Sequence, residues 1–410
     1  MNTINKIILI TISAIFVHYT ALSQGGSNYS IFGIGDIESS PGAIYEGLAG
    51  TSVAMPLDAG INSKNPALWS YTTNTRLQAG YKFNQHYIYS DQSSIQQNNG
   101  RVSGILGLFA VDTSMGLAVS FGLYPYSNIS YKIANPISFT QDQTSVAGQT
   151  TFTGNGGMSR VHLGFSLKPA DNLSFGAMIF KAFGSSNLYT ENVFFTSEFS
   201  SQNIKTDKYN SWGFRLGGLY SPLDGLSFGT FYEYNANLNV DSRILYHYTS
   251  SYLSDTTFDC AAVFTMPDQY GLGVSYKTGE FIIGSDISYQ DFTSFGYQQG
   301  TKSQFQGNIQ YSVGITKIPN RRARTLLELS SYNIGFGFKQ QYYKINGISI
   351  DEIFGSIGLS IPLPGSAMLN TALVAGKRGT QENGLLKEYY GRLVIDFSIG
   401  EAWFKPFRKD

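Results

Sequence analysis

One cysteine, Cys260, stands in the whole chain, so no internal disulfide braces the fold and the thiol reads as a small filler residue without a redox role. Charge is also scarce. Lysine, arginine, aspartate and glutamate make up 14% of residues, against about 25% in ordinary soluble domains. The formal net charge is zero, so neither nucleic acid nor an acidic lipid surface is indicated as a partner. Histidine is scarcer still: beyond the first two dozen residues only His86, His162 and His247 remain, too few and too scattered for a metal site. There is no Gly-x-Ser-x-Gly elbow, and no acid, base and nucleophile converge. Gly33-Ile34-Gly35 and Gly271-Leu272-Gly273 are not followed by a helix whose N-terminus would hold phosphate. The residues therefore argue against an enzyme and call for no cofactor.

Long apolar runs are missing too, with one short exception at the start. Lys6 precedes the apolar stretch Ile7 to Val17, and a polar stretch then ends in Ala21-Leu22-Ser23. That is the pattern of a secretory signal peptide, residues 1–23, cleaved before Gln24. The run is too short to cross a bilayer core of about 30 Å as a helix, and no cysteine near the cleavage point offers a lipid anchor. Nothing later approaches the roughly 20 apolar residues of a spanning helix. If this chain enters a membrane it does so as a barrel, and its 28 tyrosines and 29 phenylalanines suit the aromatic girdles of one.

What the sequence has in abundance is alternation of period two, which in a membrane barrel points one residue to lipid and the next to the lumen. Leu117, Val119, Phe121 and Leu123 form one phase, Gly116, Ala118, Ser120 and Gly122 the other. Two hairpins repeat the scheme. Val161-Leu163-Phe165-Leu167 runs through a Lys168-to-Asn172 turn into Leu173-Phe175-Ala177-Ile179, and Trp212-Phe214-Leu216 runs through Ser221-to-Gly225 into Leu226-Phe228-Thr230-Tyr232. Short turns rich in Pro, Asp and Gly suit one rim of a barrel. Polar stretches at 127–157, 187–209, 241–264 and 292–306 are expected as long surface loops on the other. Further alternating runs at 76–83, 102–111, 269–276, 281–290, 310–316, 333–339, 353–361, 368–376 and 392–400 bring the expected count to fourteen strands. The predicted fold is an all-β transmembrane antiparallel barrel over residues 76–404, with a tail at 405–410.

Residues 24–75, rich in Gly, Ser, Ala and Pro, do not alternate, and an amino-terminal plug or hatch inside the lumen is the natural place for them. On the inward phase the strands carry Gln78, Lys82, Met178, Phe180, Arg215, Phe231, Glu233, Asp286 and Asp396. This mixed lining suits an amphipathic cargo better than a water-filled pore. Lys82 and Arg215 are candidates to pair with a cargo carboxylate, or else with Glu233, Asp286 or Asp396 in the wall. Met178, Phe180 and Phe231 are candidates for its apolar part.

Several motifs, taken in order, resemble the long-chain fatty-acid transporter (FadL-like) outer-membrane barrels, especially their Bacteroidota branch. They are Tyr29-Ser30-Ile31-Phe32-Gly33-Ile34-Gly35-Asp36; Asn65-Pro66-Ala67; the strand from Met266 to Tyr276; Tyr289-Gln290-Asp291-Phe292; Gly376-Lys377-Arg378-Gly379-Thr380; and Trp403-Phe404. The resemblance implies a fourteen-stranded monomeric barrel in the outer membrane, with membrane lipid around it and a hydrophobic small molecule as ligand. It also implies that Asn65, Pro66 and Ala67 belong to the hatch, and Pro125 is the candidate for the third-strand kink through which the family releases cargo sideways. Passive uptake of hydrophobic or amphipathic, fatty-acid-like molecules by lumen binding and hatch movement is the function expected. The alternative is a non-transporting structural or cargo-shuttle subunit of an outer-membrane assembly or secretion machine, partnered by other outer-membrane proteins.

Overall fold

In the computed structural model the described residues are 25–38, 42–91, 93–141, 144–195, 200–249, 254–320 and 323–401. The expected signal peptide and carboxy-terminal tail, with Trp403 and Phe404, lie outside them.

Alternation decides the architecture. Along Phe281–Asp291 every second side chain is exposed and every other one buried without a break: Phe281, Ile283, Ile287 and Tyr289 face outward, Ile282, Asp286, Ser288 and Gln290 inward. A strand so divided must sit between lipid and an occupied interior, because a one-residue slip would turn every charge into lipid. Fourteen such strands form a closed antiparallel barrel. In chain order they are β1 Thr75–Tyr89, β2 Ser94–Asp112, β3 Leu117–Pro125 continued by Ser127–Gln141, β4 Thr144–Ala170, β5 Leu173–Phe194, β6 Ser200–Leu223 and β7 Leu226–Asn235 continued by Leu238–Tyr248. Then follow β8 Thr256–Phe264 continued by Gln269–Thr278, β9 Phe281–Asp291, β10 Ser303–Phe305 continued by Gly307–Lys317, β11 Ser331–Ile345, β12 Ile348–Pro362, β13 Ala367–Gly379 and β14 Lys387–Glu401. β14 closes on β1, Glu401 opposite Thr75 and Lys387 opposite Tyr89.

At one rim most connections are tight, the longer stretch 318–330 between β10 and β11 excepted. Asp171-Asn172 joins β4 to β5 and Asp224-Gly225 joins β6 to β7, the latter needing glycine at φ 84°. Such turns mark the periplasmic rim. The other rim departs from expectation. The stretches 127–157, 187–209 and 241–264, expected as loops, are mainly strand, and β4 runs for 27 residues where about 9–11 suffice to cross the membrane. Their polarity has a simple cause: beyond the bilayer both faces of a strand meet water, so the apolar phase disappears while the main-chain ladder continues. Of the four stretches, 292–306 is the one that is mainly irregular among the described residues, over 292–302, and it folds inward.

β3 is interrupted at Tyr126. Pro125 lies opposite Ser159 and Ile129 opposite Gly156, so three β3 residues face two on β4, a bulge that bends the strand. β2 pairs with β3 only as far as Leu123. Above that point β3 follows β4 and parts from β2. The amino-terminal segment enters the space. Gly25 N–H donates to Asn98 O of β2 (3.2 Å) and Gly26 N–H to Ser130 O of β3 (2.8 Å), while Asp36–Ile37 pairs with Asn128 and Ser127. From there the segment runs through the barrel and joins β1 at the periplasmic rim.

Candidate functional site: the lumen and the segment inside it

The amino-terminal segment has too few residues to form a core of its own and instead lays short turns against the inner wall. Ser27 caps the turn Asn28–Ile31 by accepting from Tyr29 N–H (3.2 Å), Gly42 precedes the one-turn helix α1, Ala43–Glu46, and Asn65 caps the turn Pro66–Tyr71. Its apolar residues Ile34, Ile44, Tyr45, Leu48, Val53, Met55 and Trp69 are all buried.

Close approach depends on inward-facing glycines of the wall. A β-carbon on Gly176 would come within 2.3 Å of the Pro66 carbonyl carbon, on Gly217 within 2.1 Å of Asn65 Oδ1, on Gly229 within 2.2 Å of Val53 O, and on Gly335 within 2.3 Å of the Leu48 carbonyl carbon. No side chain fits at these places. Asn65, completely buried, ties the arrangement together: its Nδ2 donates to Val53 O (2.7 Å) and to Gly218 O on β6 (3.1 Å), and its Oδ1 accepts from Ala67 N–H (3.0 Å).

Ion pairs fix the rest. Lys82 Nζ reaches Glu46 Oε1 at 2.7 Å and Glu38 Oε2 at 2.8 Å, and Arg392 meets Glu46 Oε2 at 3.0 Å. Burial alone would raise the Glu46 carboxyl, but Lys82 and Arg392 outweigh it and hold it down at about 2. Arg101 pairs with Glu38. Arg378 binds Asp36 (2.8 Å) and Glu352 (2.8 Å), and Glu388 accepts from Asn28 N–H (2.9 Å) and Ser27 Oγ (2.6 Å). Glu233 of β7, completely buried, accepts from Arg160 Nη1 and Nη2 (3.0 and 2.8 Å) and also from Arg215. Arg215 in turn donates to the carbonyls of Ser63 and Lys64. A charge taken out of water is tolerated only when so paired.

All five ligand candidates from the sequence are buried on the inner face. Lys82 and Arg215 are bonded as described. Phe231 lies under the Arg215 guanidinium, 5.1 Å from its carbon. Met178 and Phe180 pack with Ile61, Trp69, Leu106 and Tyr124, with Arg160 4.1 Å above the Phe180 ring. Asn65, Pro66 and Ala67 sit against Gly176 and Gly217, and Pro125 immediately precedes the β3 interruption, where Tyr126 O accepts from Glu38 N–H (2.9 Å). Sequence reasoning missed Glu38, Glu46, Arg160, Glu352, Arg378, Glu388 and Arg392. Arg160 shares the inward phase of His162 and was findable. Glu38 and Glu46 lie in a segment without period and were not.

Two small cavities lie among the described residues of the lumen, each about 40 Å³. One is bordered by Asp36, Arg101, Glu352 and Arg378, the other by Lys64, Arg160, Arg215 and Lys339. Outward of them, Phe292, Phe295, Tyr297, Phe305, Tyr342 and Tyr343 form one buried aromatic cluster, with ring centroids as close as 4.5 Å between Phe292 and Tyr342. At the periplasmic mouth a larger cleft of about 660 Å³ is lined by Leu57, Ile282, Ile318, Leu329 and Met368 beside the Arg76–Asp58 pair.

A closed fourteen-stranded barrel with a lipid-facing apolar surface defines an outer-membrane β-barrel protein. A family model described as BamG matches residues 3–409, and the chain belongs to that family. Among solved structures it is similar to the toluene transporter TbuX of Ralstonia pickettii, at 13% identity and a TM-score of 0.61 over 88% of this chain and 99% of that one. It is similar also to a Pseudomonas aeruginosa FadL homologue, at 11% and 0.63 over 90% and 100%, and to the Pseudomonas putida toluene transporter TodX, at 15% and 0.56 over 90% and 100%. The fold is thus that of FadL-like hydrophobic-compound transporters. No curated protein sequence matches the chain.

Proposed function

We propose that this protein is a closed structural subunit of an outer-membrane assembly, of the Bacteroidota type its opening motif resembles, and that residues 24–75 act as a fixed plug. The observation that carries this reading is the state of the lumen. The inward charges bind the amino-terminal segment and one another, and the two small lumen cavities of about 40 Å³ fall far below the roughly 300 Å³ or more of a small-molecule site. Protein purified from native membranes is expected to come out with stoichiometric partners, and the isolated barrel in a planar bilayer to show no conductance. Isolation as a lone monomer carrying a bound amphiphile overturns the proposal.

A second reading is supported by the β3 interruption beside Pro125 and the apolar periplasmic cleft: uptake of a fatty-acid-like molecule by movement of the segment. Glu46 and Glu233 would then release Lys82 and Arg215 to a cargo carboxylate, with Met178, Phe180 and Phe231 around its chain. A fluorescent C16 fatty acid decides between the readings. Saturable binding that Lys82→Met abolishes supports uptake, and absence of binding rules it out.

A further inference from the structure

The outer halves of β3 to β8 continue past the rest of the wall as a six-stranded sheet, which has two edges. One is β3, Ser127–Gln141. It is guarded: Pro136 removes a main-chain donor, Lys132 places a charge on the strand, and the amino-terminal segment covers its base through Gly26 and the Asp36–Ile37 pairing. Natural sheets protect exposed edges by such means.

The other edge is the outer half of β8, Thr256–Phe264, and it has neither a proline, nor a lysine, nor a covering segment among the described residues. The strand leaves the wall at the break before Gln269. Its nine residues pair with β7 from Leu238 opposite Phe264 to Tyr246 opposite Thr256 without a register shift, and among the described residues they have no ladder partner on the other side. No proline, glycine or lysine interrupts Thr-Thr-Phe-Asp-Cys-Ala-Ala-Val-Phe, and its one charge, Asp259, already faces Arg243 of β7 at 3.7 Å. Every residue but the last is exposed, including Phe258 at 56% and Val263 at 62%. A straight, apolar, unguarded edge is a template for another strand.

We infer that the Thr256–Phe264 edge is a docking site for an extended segment of a different polypeptide on the outer side of the membrane, which adds to the sheet as a further strand. Main-chain groups of alternate residues supply affinity. Phe258 and Val263, on opposite faces, select aromatic or β-branched neighbours, and the small Ala261 and Ala262 leave room for them. A second copy does not fit. Two upright barrels related by a two-fold axis along the bilayer normal would cross their β8 strands at about twice the strand tilt, roughly 70–90°, too steep for a ladder. The inference rests on the subunit reading and names its contact surface.

Cys260, exposed at the centre of the strand, accepts a maleimide-benzophenone crosslinker on intact cells without any substitution. One discrete heteromeric adduct is expected, with the crosslinked residues of the partner falling within a single extended segment. Ala261→Pro and, separately, Val263→Lys reduce it at least tenfold while the barrel's heat-modifiable migration is unchanged. Lys132→Cys in a Cys260→Ser background, on the guarded edge, gives no such adduct. Adducts with a second copy or with lipopolysaccharide overturn the inference, as does an adduct insensitive to both substitutions. Stoichiometric partners that crosslink only from other surfaces overturn the docking edge and leave the subunit reading intact, whereas isolation of the chain without partners overturns both.

Discussion

Replacing Glu46 by glutamine tests whether charge seats the amino-terminal segment. The amide keeps the size of the side chain but leaves Lys82 and Arg392 facing a neutral group in a closed lumen. Removing one partner of a buried ion pair costs about 3–5 kcal/mol when the other is left alone. Here neither cation is abandoned, since Lys82 keeps Glu38 at 2.8 Å and Arg392 keeps Asn84 Oδ1 at 2.9 Å, so the low end applies. About 3 kcal/mol corresponds to an opening equilibrium on the order of 100-fold more favourable. Native-state hydrogen exchange of the amides around α1, such as Gly47 N–H bonded to Ala43 O, reads this directly, with the wall strands as internal standard. Asp58→Asn is the matched control. Asp58 is partly exposed and 3.4 Å from Arg76, a pair worth under about 1 kcal/mol. If exchange near α1 is no faster in Glu46→Gln than in Asp58→Asn, the segment is held by packing alone and the electrostatic account fails.

Acid probes the same contact. The Glu46 carboxyl is held at about 2 against an ordinary 4.5, so its stabilisation is complete above the ordinary value and is lost as pH falls toward 2. Protection factors around α1, the exchange rates corrected for intrinsic exchange at each pH, fall across that window in the native protein, and Glu46→Gln flattens the response. Gly176→Ala and Gly217→Ala insert a methyl group where the Asn65-Pro66 main chain and side chain already stand. Limited proteolysis then cuts the 60–72 region while the barrel keeps its heat-modifiable migration, and Gly391→Ala, with open space at its β-carbon, changes neither. Asn65→Ala removes a cap and a tether to Gly218 O, costing about 1–2 kcal/mol, visible as faster exchange at Ala67 and Leu68.

The wall was legible in the sequence because lipid and lumen impose opposite demands on successive residues. Phe121, Leu123, Val161, Leu163 and Phe165 were placed outward from period alone, and all five are exposed. The outer strands were not legible, since the same ladder standing in water keeps its hydrogen bonds and loses its apolar phase. Lys82 and Arg215 could be placed inward for the same reason that Phe121 could be placed outward. Their partners could not be read, because Glu38 and Glu46 lie 44 and 36 residues from Lys82 in a segment whose shape is dictated by the wall around it. Nor did alternation reveal why Gly176, Gly217, Gly229 and Gly335 carry no side chain. They look like ordinary lumen-phase positions until the segment is in place against them.

The pattern of charges bears on whether the segment moves. To clear the lumen, Glu46 must leave Lys82 and Arg392, Glu38 must leave Lys82 and Arg101, Asp36 must leave Arg378, and the Ser63 and Lys64 carbonyls must leave Arg215. These contacts lie between Asp36 and Lys64 and must all open before the lumen is clear. A neutral hydrocarbon brings no charge to replace any of them, and a fatty acid brings one carboxylate against the three it would displace. Arg378 would keep Glu352 and Arg215 would keep Glu233, whereas Lys82, Arg101 and Arg392 would lose the carboxylates of the segment in a low-dielectric interior, where several kcal/mol is the usual cost. Apolar transfer free energy does not remove that cost, because it acts on a different part of the ligand. Opening therefore requires water or a partner protein to solvate the freed cations together, so the segment's charges favour a barrel that stays shut in isolation.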